Sequence, residues 1–264
     1  MAALLRFLLP LSFLVTITIS TNVIIPLYIF PSDTLWEPIY SAATNYTNLK
    51  VQVVINPSSG QPGSTPDPSY AAGVAKLKSH LNVEVLGYIA TGIDPDTGAD
   101  RRNTAPTFMA NYASWPIESR PTGIFFDEVV RTSSADVIAM RSLTSDARSR
   151  GFNGTVVFNA GAIPVDQALF NEADQVVAFE GCYDGCGNGA DYKGKRAEDV
   201  AALTQPASKI SVIIHTMPLD NALLQSLVDT FKTRKYGSIY LTDDPATYSH
   251  FGADWNDFVK FTAA

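Results

Sequence analysis

Gly123-Ile124-Phe125-Phe126-Asp127-Glu128-Val129-Val130 is the stretch on which the reading of this chain turns. Glycine and three apolar residues run into two adjacent carboxylates, and the chain then becomes apolar again. A short apolar run of this kind reads as a buried strand. Carboxylates are rarely buried without a partner or a task. Two of them at the tip of such a strand therefore point to a catalytic cleft. Side chains alternate along a strand, so Asp127 shares a side with Phe125. Phe126 and Glu128 face the other way unless the strand ends and the chain twists. Asp127 is the acid expected to project fully inward, and Glu128 is expected at the rim or as a buried support.

Working outward, the same kind of run recurs along the chain. Strand-like segments fall at 23–30, 50–56, 83–90, 123–128, 155–159, 175–180, 209–215 and 236–242. Helical patterns separate them at 35–46, 70–80, 106–115, 135–150, 165–171, 195–203 and 219–235, and a last one closes the chain at 255–261. Gly151 stops the fourth helix, and Ser133 or Ser134 starts it. Buried strands alternating with helices imply a parallel sheet. Eight such units in a chain of 264 residues suit a single-domain α/β fold, the (β/α)8 TIM barrel. A doubly wound open sheet is the alternative, but no Gly-rich phosphate loop follows the first strand. Pro26 inside the first strand is a blemish, because proline donates no ladder hydrogen bond. The Pro/Gly/Ser-rich segment 57–68 is too long for a mere connector and is expected to be a binding loop.

In a barrel the active site lies at the strand C-terminal ends. Those ends carry Tyr28, Asn56, Tyr88, Asp127 with Glu128, Asn159, Glu180, His215 and Thr242. Asp127 and Glu180, two strands apart, are expected to face one another across the mouth. Opposed carboxylates are the machinery of glycoside hydrolysis: one protonates the leaving oxygen and the other attacks or activates water. Tyr28, Tyr88 and Tyr183 are candidates to stack on sugar faces, while Trp36 and Trp115 read as core. Asn56, Asn159 and His215 are candidates to hydrogen-bond sugar hydroxyls. The three histidines, His80, His215 and His250, stand far apart, so no metal site and no cofactor are expected.

The ends of the chain and its composition set the context. Residues 1–20 hold one charge, Arg6, ahead of an apolar run and the small residues Thr18-Ile19-Ser20, which reads as a secretory signal peptide. The domain expected after cleavage is 21–264, with no membrane attachment. Secretion gives meaning to the glycosylation triplets at Asn45 and Asn153. It also makes a local disulfide the default for the only cysteines, Cys182 and Cys186. The net charge of −7, from 26 acidic and 19 basic residues, argues against nucleic acid as a partner. A neutral or cationic polymer fits better, and a monomer is the expected state.

Four motifs are familiar together. Pro26-Leu27-Tyr28-Ile29-Phe30-Pro31, Val54-Ile55-Asn56-Pro57-Ser58-Ser59-Gly60, Val85-Leu86-Gly87-Tyr88-Ile89 followed by Thr91-Gly92, and Gly123 to Glu128 resemble the spherulin-4-like family. That family includes fungal secreted glycoside hydrolases of family 135 that act on galactosaminogalactan. The resemblance covers most of the mature chain. It implies a (β/α)8 barrel and endo-α-1,4-N-acetylgalactosaminidase activity. It also implies an acidic active site, carried onto Asp127, Glu128 and, in Phe179-Glu180-Gly181, Glu180. Some galactosamine in such a polymer is deacetylated and cationic, which suits an acidic protein. On this reading Asp127 is the nucleophile or stabilising carboxylate and Glu180 the general acid/base, or the reverse. The alternative is a non-catalytic carbohydrate-binding or cell-wall protein on the same barrel. A metal-dependent deacetylase would need a clustered ligand set that the sequence does not offer.

Overall fold

Runs rich in valine, isoleucine and phenylalanine form the staves of a closed barrel, and the helices between them cover its outside. The computed structural model describes residues 21–187, 191–245 and 247–264. The elements run β1 (Asn22–Leu27), α1 (Glu37–Asn45), β2 (Val51–Ile55), α2 (Pro68–Lys78), β3 (Val83–Ala90), α3 (Ala105–Ser114), β4 (Gly123–Asp127), α4 (Ser134–Ser149) and β5 (Val156–Asn159). They continue with β6 (Gln175–Cys182), α5 (Ala197–Ala201), β7 (Ile210–His215), α6 (Asn221–Arg234), β8 (Ser238–Leu241) and α7 (Trp255–Ala263). The strands pair in sequence order, all parallel, and β8 closes on β1. This is the (β/α)8 barrel expected from the alternation. Among the described residues no helix is long and apolar enough to cross a membrane. The signal-peptide reading falls on residues outside those described.

Several elements differ from expectation. Only a short 3-10 turn, Gln167–Asn171, stands between β5 and β6. An irregular turn takes up Tyr192–Arg196, leaving α5 at five residues. Gly194, at φ 84°, breaks the helix there. Pro26 is tolerated because the β1–β8 seam pairs only Asn22 and Val23, so the ladder has already opened where its missing N–H would matter. Strand β6 runs two residues past Glu180, because Gly181 and Cys182 still pair with Ile214 and His215.

The register places one alternate set of residues inside the barrel, and it is layered. At the N-terminal end the inner set is polar, with Gln52, Glu84, Thr155 and Ser211. Val54, Leu86, Phe125, Val157 and Ile213 fill the middle, and Asn56, Tyr88, Asp127, Asn159 and His215 form the top. In the bottom layer Glu84 accepts from the Thr155 backbone and hydroxyl, while the buried Gln52 Oε1 has no partner among the described residues. The apolar middle layer is fully buried and separates this plug from the mouth. Trp36 and Trp115 lie in the outer core, as read from the helices.

Candidate active site

The chain leaves β4 by a sharp left-handed turn. Glu128 adopts φ 55°, which for a residue with a Cβ costs roughly 1–2 kcal/mol. The turn is held on both sides: Thr91 donates to the Asp127 carbonyl through its backbone N–H and its hydroxyl, and Val129 N–H donates to the Asn159 carbonyl. It separates the two acids. Asp127 stays inside the mouth, while Glu128 swings out to the exposed rim. There its Oε2 accepts from Arg101 Nη1 at 2.7 Å, and Arg101 also pairs with Asp94 at 3.1 Å.

Asp127 and Glu180 do come together, but not across the mouth. They sit side by side on β4 and β6, bridged by Asn159 on the strand between. Asn159 Nδ2 donates to Asp127 Oδ1 at 2.7 Å and to Glu180 Oε2. The amide's orientation is fixed, because its Oδ1 accepts from Gly161 N–H at 3.1 Å. One nitrogen serving both acids holds the two receiving oxygens within about 5 Å of each other.

Glu180 faces inward only because β6 is irregular. The register slips between Val177 and Phe179, so that Val177 pairs with Ser211 but Glu180 pairs with Ile213. Unbroken alternation from the inward Gln175 would have turned Phe179 into the barrel and Glu180 out. Instead Phe179 packs outward against the Tyr192 ring at 5.0 Å.

Tyrosines surround the pair. Tyr248, which the sequence reading missed, donates to Glu180 Oε1 at 2.7 Å. It lies in the irregular connection between β8 and α7, where no periodicity marks it. The buried Asp244 positions it by accepting its backbone N–H at 2.9 Å, and its carbonyl accepts from Tyr28 N–H. The Tyr28 ring meets Tyr88 and Tyr248 edge to face at 5.5 and 5.7 Å, and Tyr88 stacks on Phe125. Tyr28 and Tyr88 thus spend their ring faces on one another and on neighbouring aromatics. Tyr88 turns its hydroxyl to Asp127. Burial, then the charge of Asp127, raises the pKa of both.

The electrostatics of the pair follow from this packing. Burial and then the charge of Glu180 push the Asp127 carboxyl up to about 6, against hydrogen bonds from Tyr88, the Glu128 backbone and Asn159. His215, half-buried at the end of β7, is lowered by burial, with Glu180 and Asp244 opposing, and its Nδ1 lies 2.9 Å from Thr216 Oγ1.

Asn56 ends β2 with a buried Oδ1 that has no hydrogen-bond partner among the described residues. A donor supplied by a ligand would satisfy it. Tyr183 continues past β6, its N–H donating to the His215 carbonyl, and lines none of the cavities over the mouth. Tyr240 is buried against Trp255 and Phe258.

Three cavities run together over the mouth. One of 420 Å³ lies between Ser59–Gln61 and the Asp94–Arg101 loop, with Tyr88 and Glu128 in its wall. A second of 640 Å³ shares Glu128 with it and passes Asn159 to Val165. A third of 250 Å³ shares Arg131 and Gly161 with the second and reaches Glu180. The 57–68 loop therefore does line the groove, through a tight turn in which Ser58, Ser59 and Gly60 are all left-handed.

Cys182 and Cys186 form a disulfide two residues beyond Glu180, with Cα atoms 5.9 Å apart. Among the described residues one group of potential metal ligands clusters, Cys182, Cys186 and Asp191, and its two cysteines are bonded to each other. Asn45 ends α1 and Asn153 precedes β5. Both are exposed on the face opposite the mouth.

Comparison with known proteins gives this architecture a family. The profile of the spherulation-specific family 4 matches residues 22–262. Spherulin-4 of Physarum polycephalum is 26% identical over 226 residues, 85% of this chain and 64% of that protein, so the chain spans less than two thirds of its relative. The crystal structure of Aspergillus clavatus Sph3 in complex with GalNAc superposes with a TM-score of 0.82 at 28% identity, covering 93% of this chain and 98% of that one. A GH18 chitinase from Cycas revoluta, at 10% identity and a TM-score of 0.53, covers 92% of this chain and 99% of its own and shares the fold alone. With the family profile spanning the barrel from β1 to α7, the chain belongs to the spherulation-specific family 4.

Proposed function

We propose that the protein is a secreted, endo-acting glycoside hydrolase that cleaves α-1,4-linked N-acetylgalactosamine or galactosamine-containing polysaccharide with Asp127 and Glu180. The observation that carries this reading is the pair itself: two carboxylates bridged by one amide nitrogen at the C-terminal mouth of the barrel. The likeness to GalNAc-bound Sph3 supports the sugar class. The disulfide and the two exposed glycosylation triplets fit a secreted chain.

The shared Asn159 nitrogen, which keeps the two receiving oxygens within about 5 Å, favours retention. Retaining enzymes hold their carboxyl groups about 5–5.5 Å apart, whereas inverting enzymes leave about 6.5–9.5 Å for a water between them. An α-linked 2-acetamido sugar carries its acetamido group cis to the leaving oxygen, so that group cannot attack from behind and an enzyme carboxylate takes the role. Asp127, pushed up to about 6, carries the proton and gives it to the glycosidic oxygen as the C1–O bond breaks. Glu180, with both oxygens already accepting hydrogen bonds, bonds to C1 through its carboxylate. Water then attacks C1, Asp127 takes its proton, and Glu180 leaves. Glu128 stays at the rim, where it fixes Arg101 in the groove wall.

The test is hydrolysis of defined α-1,4-linked N-acetylgalactosamine oligomers, with product masses and anomeric configuration read out. Asp127→Asn and Glu180→Gln should each lose about a hundredfold or more in kcat while remaining folded. Full activity in either variant sinks the assignment. Binding of polymer with no new reducing ends from the native protein would make it a carbohydrate-binding barrel instead.

A further inference from the structure

Among the described residues every arginine but two has its guanidinium committed, each donating to a carboxylate or a backbone carbonyl. The two exceptions are Arg131, half-buried after β4, and Arg196, exposed just ahead of α5. All 26 acidic residues lie within the described chain, and neither arginine pairs with any of them. Among the described arginines these two uncommitted guanidinium groups are therefore the exception. Both line the same 250 Å³ cavity, with Gly161, Phe179 and Glu180 in its wall. Glu180 is not their partner; its two oxygens accept from Asn159 and Tyr248. Arg131 and Gly161 also line the adjoining 640 Å³ cavity, which reaches Asn159, the residue that bridges the carboxylate pair.

A guanidinium group presents a rigid fork of N–H donors that matches the oxygens of a carboxylate or a phosphate. The geometry points to an oxyanion subsite: Arg131 and Arg196 clamp a phosphate ester or carboxylate borne by the sugar unit next to the cleaved bond. The substrate is then an amino-sugar chain with acidic substituents rather than a purely neutral or cationic one. This rests on the glycosidase reading and deepens it. The cavity's position fixes where the charge sits, on the β5–β6 side of the pair. At the opposite end of the groove Arg101 is already held by Asp94 and Glu128, and Asp100 is paired with Arg102, so no uncommitted guanidinium waits there for an anion.

The test is calorimetric titration of the intact protein with three α-1,4-linked N-acetylgalactosamine tetrasaccharides: one unsubstituted, one with a single 6-phosphate, and one with a single C6 carboxylate. At least one anionic tetrasaccharide should bind about tenfold tighter than the neutral one at low salt, a preference that about 0.5 M salt largely screens. The double variant R131Q/R196Q should lose the preference, and R131K/R196K, which keeps the charge without the fork, should keep part of it. Tighter binding of the phosphate form assigns an ester, and tighter binding of the carboxylate form assigns a uronate. Equal binding of all three, or a preference unchanged in R131Q/R196Q, overturns the subsite. Binding is read without turnover, so that failure leaves the glycosidase reading standing. If none of the three binds and the neutral chain is not cleaved, both readings fall together.

Discussion

At the scale of single residues, Asp127 holds a charge in a place that disfavours it. Burial and the neighbouring Glu180 raise its carboxyl to about 6, whereas an unfolded aspartate titrates near 4. The sign for stability follows from linkage. The folded state holds the proton more tightly than the unfolded state, so stability is complete below about 4 and declines as pH rises through about 6. Asp127→Asn removes that charge. The variant should therefore melt higher than the native protein at pH 7.5, with the difference vanishing toward pH 4, while its hydrolysis is lost. Thermal unfolding across that range checks it, and a variant that melts lower at pH 7.5 would contradict the electrostatic account. With Asp127 as the proposed proton donor, kcat/KM of the native protein should fall as pH rises through about 6, because that carboxyl is then deprotonated. Asp127 was readable from its strand because alternation is a local rule. Tyr248 was not, because it reaches Glu180 from an irregular connection 68 residues further along the chain.

At the scale of elements, two loops set the site. The turn after β2 places Gly60, at φ 79°, directly under the Tyr88 ring. A Cβ there would lie 2.6 Å from a ring carbon. Gly60→Ala should therefore cost about 2 kcal/mol or more, from the left-handed backbone and the clash together, and lower the melting temperature by about 5 °C or more. Activity should fall further than stability, because the ring that moves is the one whose hydroxyl meets Asp127. The second loop follows β6. The Cys182–Cys186 disulfide closes so short a loop that its removal should cost only about 2 kcal/mol by chain entropy. The paired Cys182→Ser and Cys186→Ser variant is expected to remain folded, with a melting temperature lower by roughly 4–8 °C. A much larger loss would mean that the bridge holds β6 itself. Secondary structure was legible wherever a run was long and periodic. It held only in part over 195–203, where the irregular turn runs on to Arg196 and only Ala197–Ala201 is helical.

At the scale of the molecule, the three cavities make a groove that crosses the mouth from the β2–β3 loops to the β6 side. Glu180 lines the cavity at the β6 end, and the other two extend from there past Glu128 to Tyr88. On the proposed endo-acting reading, a groove of this extent takes the middle of a chain as well as its ends. Hydrolysis of a long N-acetylgalactosamine oligomer should accordingly release mid-length products first, and polymer viscosity should fall before reducing ends accumulate. Early release of monosaccharide alone would contradict this reading of the groove.

The sequence by itself determined the barrel, because eight apolar runs alternating with amphipathic helices have few other ways to bury their faces. It also determined that polar groups would crown the mouth and that Asp127 would point inward, since both follow from strand ends and a period of two. Only the tertiary structure decided that Glu180 joins Asp127. That depends on a one-residue slip of β6 against β7, and a slip belongs to the pairing of two strands rather than to either sequence. The same holds for the bridge made by Asn159, whose orientation Gly161 sets, and for Glu128, which a left-handed turn sends to Arg101. Local pattern specifies which face a residue prefers, and the closure of the barrel specifies which residues then meet.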